Sequence, residues 1–219
     1  MITISAYNWV PDFAKGFVRD LRVRWALEEA GLDYTVKLID QDEKLTPAYR
    51  AWQPFCQVPA YRDDEVTLFE SGAILLHVAQ RSEALLPADP AERARAVAWV
   101  FAALNSIEIY VEPLAVIDLF HAGEDWAKQR RPQVEQAVRK RLADLAAALG
   151  DRPYLEGRFT VGDLMMATVL RILQDTDLVT SDPVLGPYLA RCVGRPPFQK
   201  ALAAQLTSLQ AAPASAAAR

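Results

Sequence analysis

An α/β unit followed by an all-α one is the architecture predicted by this chain of 219 residues. Three observations predict it. Two short alternating segments flank a helical one near the N-terminus. A charged turn then joins two short apolar runs ahead of a second helix. Beyond a linker that carries prolines, every apolar pattern has helical period. The length suits one large domain or two small ones, each burying its own core.

Taken in order, residues 2–6 alternate apolar and polar side chains and form a strand. Residues 7–12 are a loop, because Pro11 pushes Val10 out of helical geometry. A helix over residues 17–30 presents Leu21, Val23, Trp25, Ala26 and Leu27 as its apolar side, and Gly31 stops it. Residues 34–39 alternate again; strand, helix, strand in so short a span is a βαβ unit with a parallel pair and right-handed crossover. Residues 47–52 hold at most a short helix. Val58, Ala60 and Tyr61 then lead into the charged turn Arg62, Asp63, Asp64, Glu65, from which Val66, Leu68 and Phe69 return as an antiparallel hairpin. The next helix opens at Glu70 and Ser71, with Ser71 as its N-cap.

The linker, residues 83–90, carries Pro87 and Pro90. Residues 91–119 repeat apolar side chains at three- and four-residue steps, interrupted near Pro113, and residues 132–149 form a second long helix ending at Gly150. Thr160 caps a helix beginning at Val161, with Asp163 reaching back to the Thr160 amide as a capping box. Residues 183–193 and 197–209 are further helices, and the tail from residue 211 has nothing large to bury and is expected to be disordered. The expected domains are therefore residues 1–82, a linker at 83–90, an all-helical domain at 91–210 and the tail at 211–219.

The net charge of −4 argues against a nucleic-acid partner, and the basic residues Arg93, Arg95, Arg139, Lys140 and Arg141 lie among acids and apolar residues on helical faces. The N-terminus lacks the basic and long apolar regions of a signal peptide, and no stretch approaches the length needed to span a membrane. Cys56 and Cys192 are far apart with no disulfide or metal pattern, which suits a reducing, cytoplasmic location. His77 and His121 have no companion ligand at useful spacing, so no metal is expected.

Two features exceed scaffold. Pro59 starts a strand that should be buried and frees a backbone edge, and the Glu70-Ser71 pair at a helix N-terminus makes a polar, anion-favouring pocket. Val58-Pro59 followed by Glu70-Ser71 and an apolar helix resembles the glutathione-binding half of the glutathione transferase superfamily. The Thr160 to Asp163 box resembles the capping element of a buried helix in the same family, where its role is folding. The resemblance spans nearly the whole chain. It implies a thioredoxin-like N-terminal domain with a cis-proline at Pro59, a helical bundle after it, and a homodimer.

It also implies a site for glutathione as co-substrate. The Val58 main chain would pair with the cysteinyl unit, Ser71 would hold the γ-glutamyl carboxylate, Glu70 would lie near the ammonium, and Gln57 would reach the glycyl end. Trp9, Phe13 and the helix carrying Phe101, Asn105 and Ile109 would wall the pocket of a small hydrophobic electrophile. Most members place Tyr, Ser or Cys ahead of the first helix to favour thiolate. Anchored on Arg22-Val23-Arg24-Trp25, the Ser or Cys position here falls at Phe17 or Val18, neither of which donates a hydrogen bond to sulfur. Tyr7, Arg19 and Asn8 are the substitutes. Cys56, where the family commonly has Gly, reads as a semi-buried structural thiol. The expected function is a glutathione S-transferase acting in detoxification. The alternatives are a non-catalytic binding or scaffolding relative and a glutathione-dependent isomerase, dehalogenase or reductase.

Overall fold

The computed structural model describes residues 1–209, so the tail expected at 211–219 lies outside the described residues. The described residues form two compact units: Met1–Leu85 with residues 195–209, and Leu86–Gly194. This division departs from the expected boundaries, because the last helix belongs to the first unit.

The first unit is built on a sheet of β1 (Ile2–Tyr7), β2 (Tyr34–Ile39), β3 (Ala60–Arg62) and β4 (Thr67–Phe69), in the order β2-β1-β3-β4. β1 and β2 are parallel, in register from Ile2 opposite Tyr34 to Tyr7 opposite Ile39, while β3 is antiparallel to both β1 and β4. With α1 (Asp20–Ala30) as the crossover, α2 (Pro47–Arg50) before β3 and α3 (Ser71–Ala79) after β4, this is the thioredoxin-like arrangement.

α1 starts three residues after the expected position, because tight turns occupy residues 12–19. The Phe17 N–H donates to the Ala14 carbonyl at 3.0 Å and the Leu21 N–H to the Val18 carbonyl at 3.0 Å. Its C-terminus closes as expected: Gly31 adopts φ 65°, and its N–H reaches the carbonyls of Leu27 and Glu28. α1 packs against both α3 and α9 (Pro196–Ser208). α9 is held there by a bidentate Arg195–Glu29 pair at 2.6 and 2.7 Å and by the Phe198 ring set edge-on to Trp25 at 4.8 Å. Those partners lie far apart in sequence, so helical periodicity alone does not assign α9 to this unit.

In the second unit, α4 (Pro90–Ala102) and α5 (Ile109–Phe120) join through a wide π turn, Ala103–Glu108, into one helix spanning residues 90–120. The interruption expected at Pro113 is absent, and the irregularity falls at the turn before it. Pro113 has no N–H for the Ile109 carbonyl, and the wide turn ending at Glu108 gives the backbone room to accommodate its ring. This helix is long and apolar enough to cross a membrane by length and composition, which corrects the expectation that no stretch qualifies. Within its unit it packs along α6 (Asp125–Leu149) and α7 (Val161–Leu170), as a bundle's core helix does. α6 starts at Asp125, before the expected residue 132, and continues through Pro132. Next to that proline, Arg131 grips Asp118 of α5 at 2.7 and 2.9 Å.

α7 is buried along its whole length and α8 (Leu185–Val193) packs on it. The capping box is present: Thr160 Oγ accepts the Gly162 N–H at 3.2 Å, and Asp163 accepts the Thr160 N–H at 2.9 Å. Asp163 does more than cap. Its other carboxylate oxygen accepts the Leu155 N–H at 2.9 Å and the Tyr188 hydroxyl at 3.0 Å, tying the preceding loop and α8 to the same point. Removing a cap alone costs about 0.5–2 kcal/mol. The Thr160 hydroxyl also donates to Asp163 at 3.2 Å, so Asp163→Ala strands four buried donors and urea denaturation is expected to show a loss of about 3–5 kcal/mol. A loss below about 2 kcal/mol would reduce Asp163 to an ordinary cap.

Candidate active site

The site is assembled where β1 ends and β3 begins. With Ile4 opposite Tyr61, the antiparallel register carries Val58 back toward Tyr7. The Val58-Pro59 bond is cis and both residues are buried. The β3 ladder starts only at Ala60. Among the described residues the Val58 main-chain N–H and C=O have no hydrogen-bond partner. That leaves a short extended edge, held in place and chemically unspent.

Glu70 and Cys56 are the non-glycine residues with left-handed backbone among those described, at φ 68° and φ 58°. Glu70 occupies the cap position of α3 and makes no side-chain cap bond, and its side chain is exposed. Ser71 is therefore the first residue of the helix, not its N-cap as expected. Its hydroxyl oxygen accepts a hydrogen bond from Arg22 Nη1 at 3.3 Å, leaving the hydroxyl proton for a ligand. Arg22 is 4% exposed and lies on α1. A guanidinium behind a serine hydroxyl at a helix N-terminus makes a strong carboxylate site. Sequence reasoning used Arg22 only as an alignment mark. The available signal was a cation set among Leu21 and Val23, both of which are buried.

Tyr7 is half-buried and packs with Val18 against the cluster of Ile39, Tyr49 and Val58. Burial pushes its phenol pKa above the usual value, and nearby Cys56 pushes the same way, so the phenol keeps its proton at neutral pH. Lys44 Nζ stands 5.6 Å from the centre of the Tyr7 ring. Arg19 is half-buried in the turn ahead of α1, where its carbonyl accepts the Arg22 N–H at 3.1 Å. The Asn8 N–H extends the β1–β2 pairing to the Ile39 carbonyl at 2.9 Å. Phe17 is half-buried, and Val18 packs its aliphatic carbon against the cluster that contains Val58. Gln57 is exposed. Trp9 is half-buried, and Phe13 is exposed in the turn Asp12–Ala14. On the second unit, Phe101, Asn105 and Ile109 are exposed along one stretch of helix. Cys56 is half-buried and Cys192 buried, both as free thiols.

One unit thus brings together an unpaired strand edge, a cation-backed hydroxyl and a protonated phenol. The family model for the glutathione S-transferase N-terminal domain matches residues 13–80. A glutathione S-transferase of Hyoscyamus muticus is 29% identical over 202 residues, covering 83% of this chain and 92% of that one. The tetrachloro-p-hydroquinone reductive dehalogenase of Sphingobium chlorophenolicum is 24% identical, with 92% and 96% covered. Among solved structures, the theta class glutathione S-transferase of Xanthomonas axonopodis pv. citri, with glutathione bound, is 31% identical at a TM-score of 0.75. The match covers 92% of this chain and 96% of that one. The chain belongs to the glutathione transferase superfamily.

The left-handed backbone explains why the family commonly has glycine where this chain has Cys56. Cys56→Gly is expected to stay within about 1 kcal/mol of the parent in urea denaturation, since relief of the strained φ offsets added chain entropy. Cys56→Val, β-branched at the same φ, is expected to lose about 1–2 kcal/mol. Equal stabilities for the two variants would show that the backbone there is not constrained.

Proposed function

We propose that this protein is a glutathione transferase. It pairs the cysteinyl unit of glutathione with the Val58 main chain and holds the γ-glutamyl carboxylate at Ser71, backed by Arg22. Glu70 lies toward the ammonium and Gln57 toward the glycyl end. The bound thiol loses its proton to solvent, and the resulting thiolate attacks the electrophilic carbon of a small hydrophobic substrate, forming a thioether as the leaving group departs. Tyr7 is the activator we favour: its phenol, kept protonated by burial, packs beside Val58. A neutral donor aimed at sulfur stabilises the anion without adding charge. Arg19 is the second candidate, acting through its fixed positive charge. Trp9 and Phe13 are proposed contacts of the electrophile.

Ultraviolet absorbance of the glutathione thiolate, titrated with pH in excess protein, tests this. Bound glutathione is expected to ionise below its solution pKa, and Tyr7→Phe to reverse the shift by about 1–2 units, the value of one hydrogen bond to a charged group. If Arg19→Ala reverses it and Tyr7→Phe does not, the roles exchange. Binding without any shift favours a non-catalytic, scaffolding relative. Because the Tyr7 phenol titrates above its usual value of 10.0, kcat/KM is expected to rise with thiol ionisation and show no falling limb below that pH. A descending limb near neutrality would exclude Tyr7.

Cys56 favours a second reading, since its thiol lies close enough to shift the Tyr7 phenol. In a glutathione-dependent reductase or dehalogenase that sulfur would exchange with a glutathione disulfide. Cys56→Ser would abolish such turnover and leave thioether formation intact.

We also infer a cytoplasmic homodimer. Phe55 is 64% exposed and meets Phe69 edge-on at 6.0 Å, an aromatic pair of the kind that association covers. Light scattering is expected to report a dimer for the parent and a monomer for Phe55→Ser. A monomeric parent would overturn the inference.

A further inference from the structure

Ser5 and Tyr49 carry hydroxyls that none of the roles above uses, although both residues are almost wholly buried, at 0% and 2% exposure. Ser5 lies on β1 and Tyr49 on α2, and their oxygens are 2.7 Å apart. The Tyr49 hydroxyl is also 2.6 Å from the Gln57 carbonyl oxygen, and Ser5 Oγ is 2.7 Å from the Ala60 nitrogen.

Proton directions follow from these partners. The Gln57 carbonyl only accepts, so Tyr49 donates to it. The Ala60 N–H only donates, so Ser5 accepts from it. The Ser5 proton then has the Tyr49 oxygen as its acceptor. One directed chain results, from Ala60 N–H through Ser5 and Tyr49 to Gln57 C=O. Burial raises Tyr49 to about 12, so the chain keeps its protons across the working pH range.

The two ends of this chain are the backbone groups flanking Val58 and Pro59. Pro59 has no N–H, and the β3 ladder begins only at Ala60, so without the hydroxyls two polar groups would lie unpaired at the strand's entry. The relay satisfies both flanks and takes up neither the N–H nor the C=O of Val58.

We propose that Tyr49 and Ser5 are positioning residues for glutathione, whose hydroxyl relay fixes the Gln57–Val58 and Pro59–Ala60 peptide groups that bracket the Val58-Pro59 pair and so aims the free N–H and C=O of Val58 at the cysteinyl unit. The proposal rests on the reading of Val58 as the pairing edge. Neither residue touches the ligand. Their effect is on the fit of an edge that must be rigid to bind a small peptide well.

Calorimetric titration of the full-length protein with glutathione tests this, because affinity and binding-competent fraction are read separately. Tyr49→Phe keeps the ring and removes the donor to Gln57. It is expected to weaken glutathione binding about tenfold at unchanged stoichiometry, the value of one net hydrogen bond. Ser5→Ala is expected to do the same, and the double variant to lose no more than about either single change, since a relay broken once is broken. A structural role alone would lower the melting temperature and the stoichiometry while the folded fraction bound with parent affinity, and that result overturns the proposal. Losses that multiply in the double variant also overturn it. A parent that binds glutathione beside variants of equal affinity defeats only the relay. A parent that binds none defeats the reading of Val58 and the relay with it.

Discussion

Eight consecutive residues of α1, from Asp20 to Leu27, are buried, and three of them are charged. Burying an unpaired charge is far more costly than any local helix preference gains, so each must find a partner inside the unit. Asp20 and Arg24 pair within the helix at 2.7 Å. Burial nevertheless drives the Asp20 carboxyl pKa upward against the pull of Arg24 and of Gln205, which donates to it at 2.7 Å. Arg24 also reaches Ser208 at 3.2 Å. The polar side of α9 is thus specified by what α1 buries, which places the last helix of the chain in the first unit.

Arg22 meets the same constraint on another side of α1, where the Ser71 hydroxyl is among its contacts. An interaction needed for burial is therefore also the one on which the proposed anion pocket rests. Ser71 is free for that contact because it is the first residue of α3, with the strained Glu70 backbone at the cap position ahead of it. Strain at a residue beside a ligand pocket, held by the surrounding sheet and helix, is a common form of preorganisation.

What the sequence made legible was local. The βαβ segment, the hairpin, and the Thr160–Asp163 box are each defined by residues near one another in the chain, and each is present. The Val58-Pro59 and Glu70-Ser71 pairs were readable because a proline at a strand entry and a hydroxyl at a helix start are local departures from pattern. What stayed hidden was set by distant partners. Arg22 behind Ser71 is separated from it by 49 positions, and Ser5 and Tyr49 by 44. Periodicity reports which side of a helix is apolar and is silent on a helix buried all round, so it gives no sign that Asp20, Arg22 and Arg24 are buried. Pro113 reads locally as an interruption and Pro132 as a helix start because the cost of proline is local, whereas the turn and ion pair beside them depend on the packed bundle.

The same buried pair bears on thiol activation. A helix N-terminus ordinarily favours an anion through its aligned peptide dipoles. In α1 an acid occupies the first position and its cationic partner stands one turn further in, an arrangement that opposes the peptide dipoles at the end nearest Val18. Val18 adds aliphatic carbon to the cluster that contains Val58. Low polarity makes an unassisted thiolate costly there, and it also strengthens any hydrogen bond that reaches the sulfur. A family position that elsewhere offers a hydroxyl at the helix start is here apolar and backed by a weakened helix field. In the proposed mechanism that leaves the stabilisation to a group outside α1, and the Tyr7 phenol at the end of β1 and Arg19 ahead of α1 are the two proposed above.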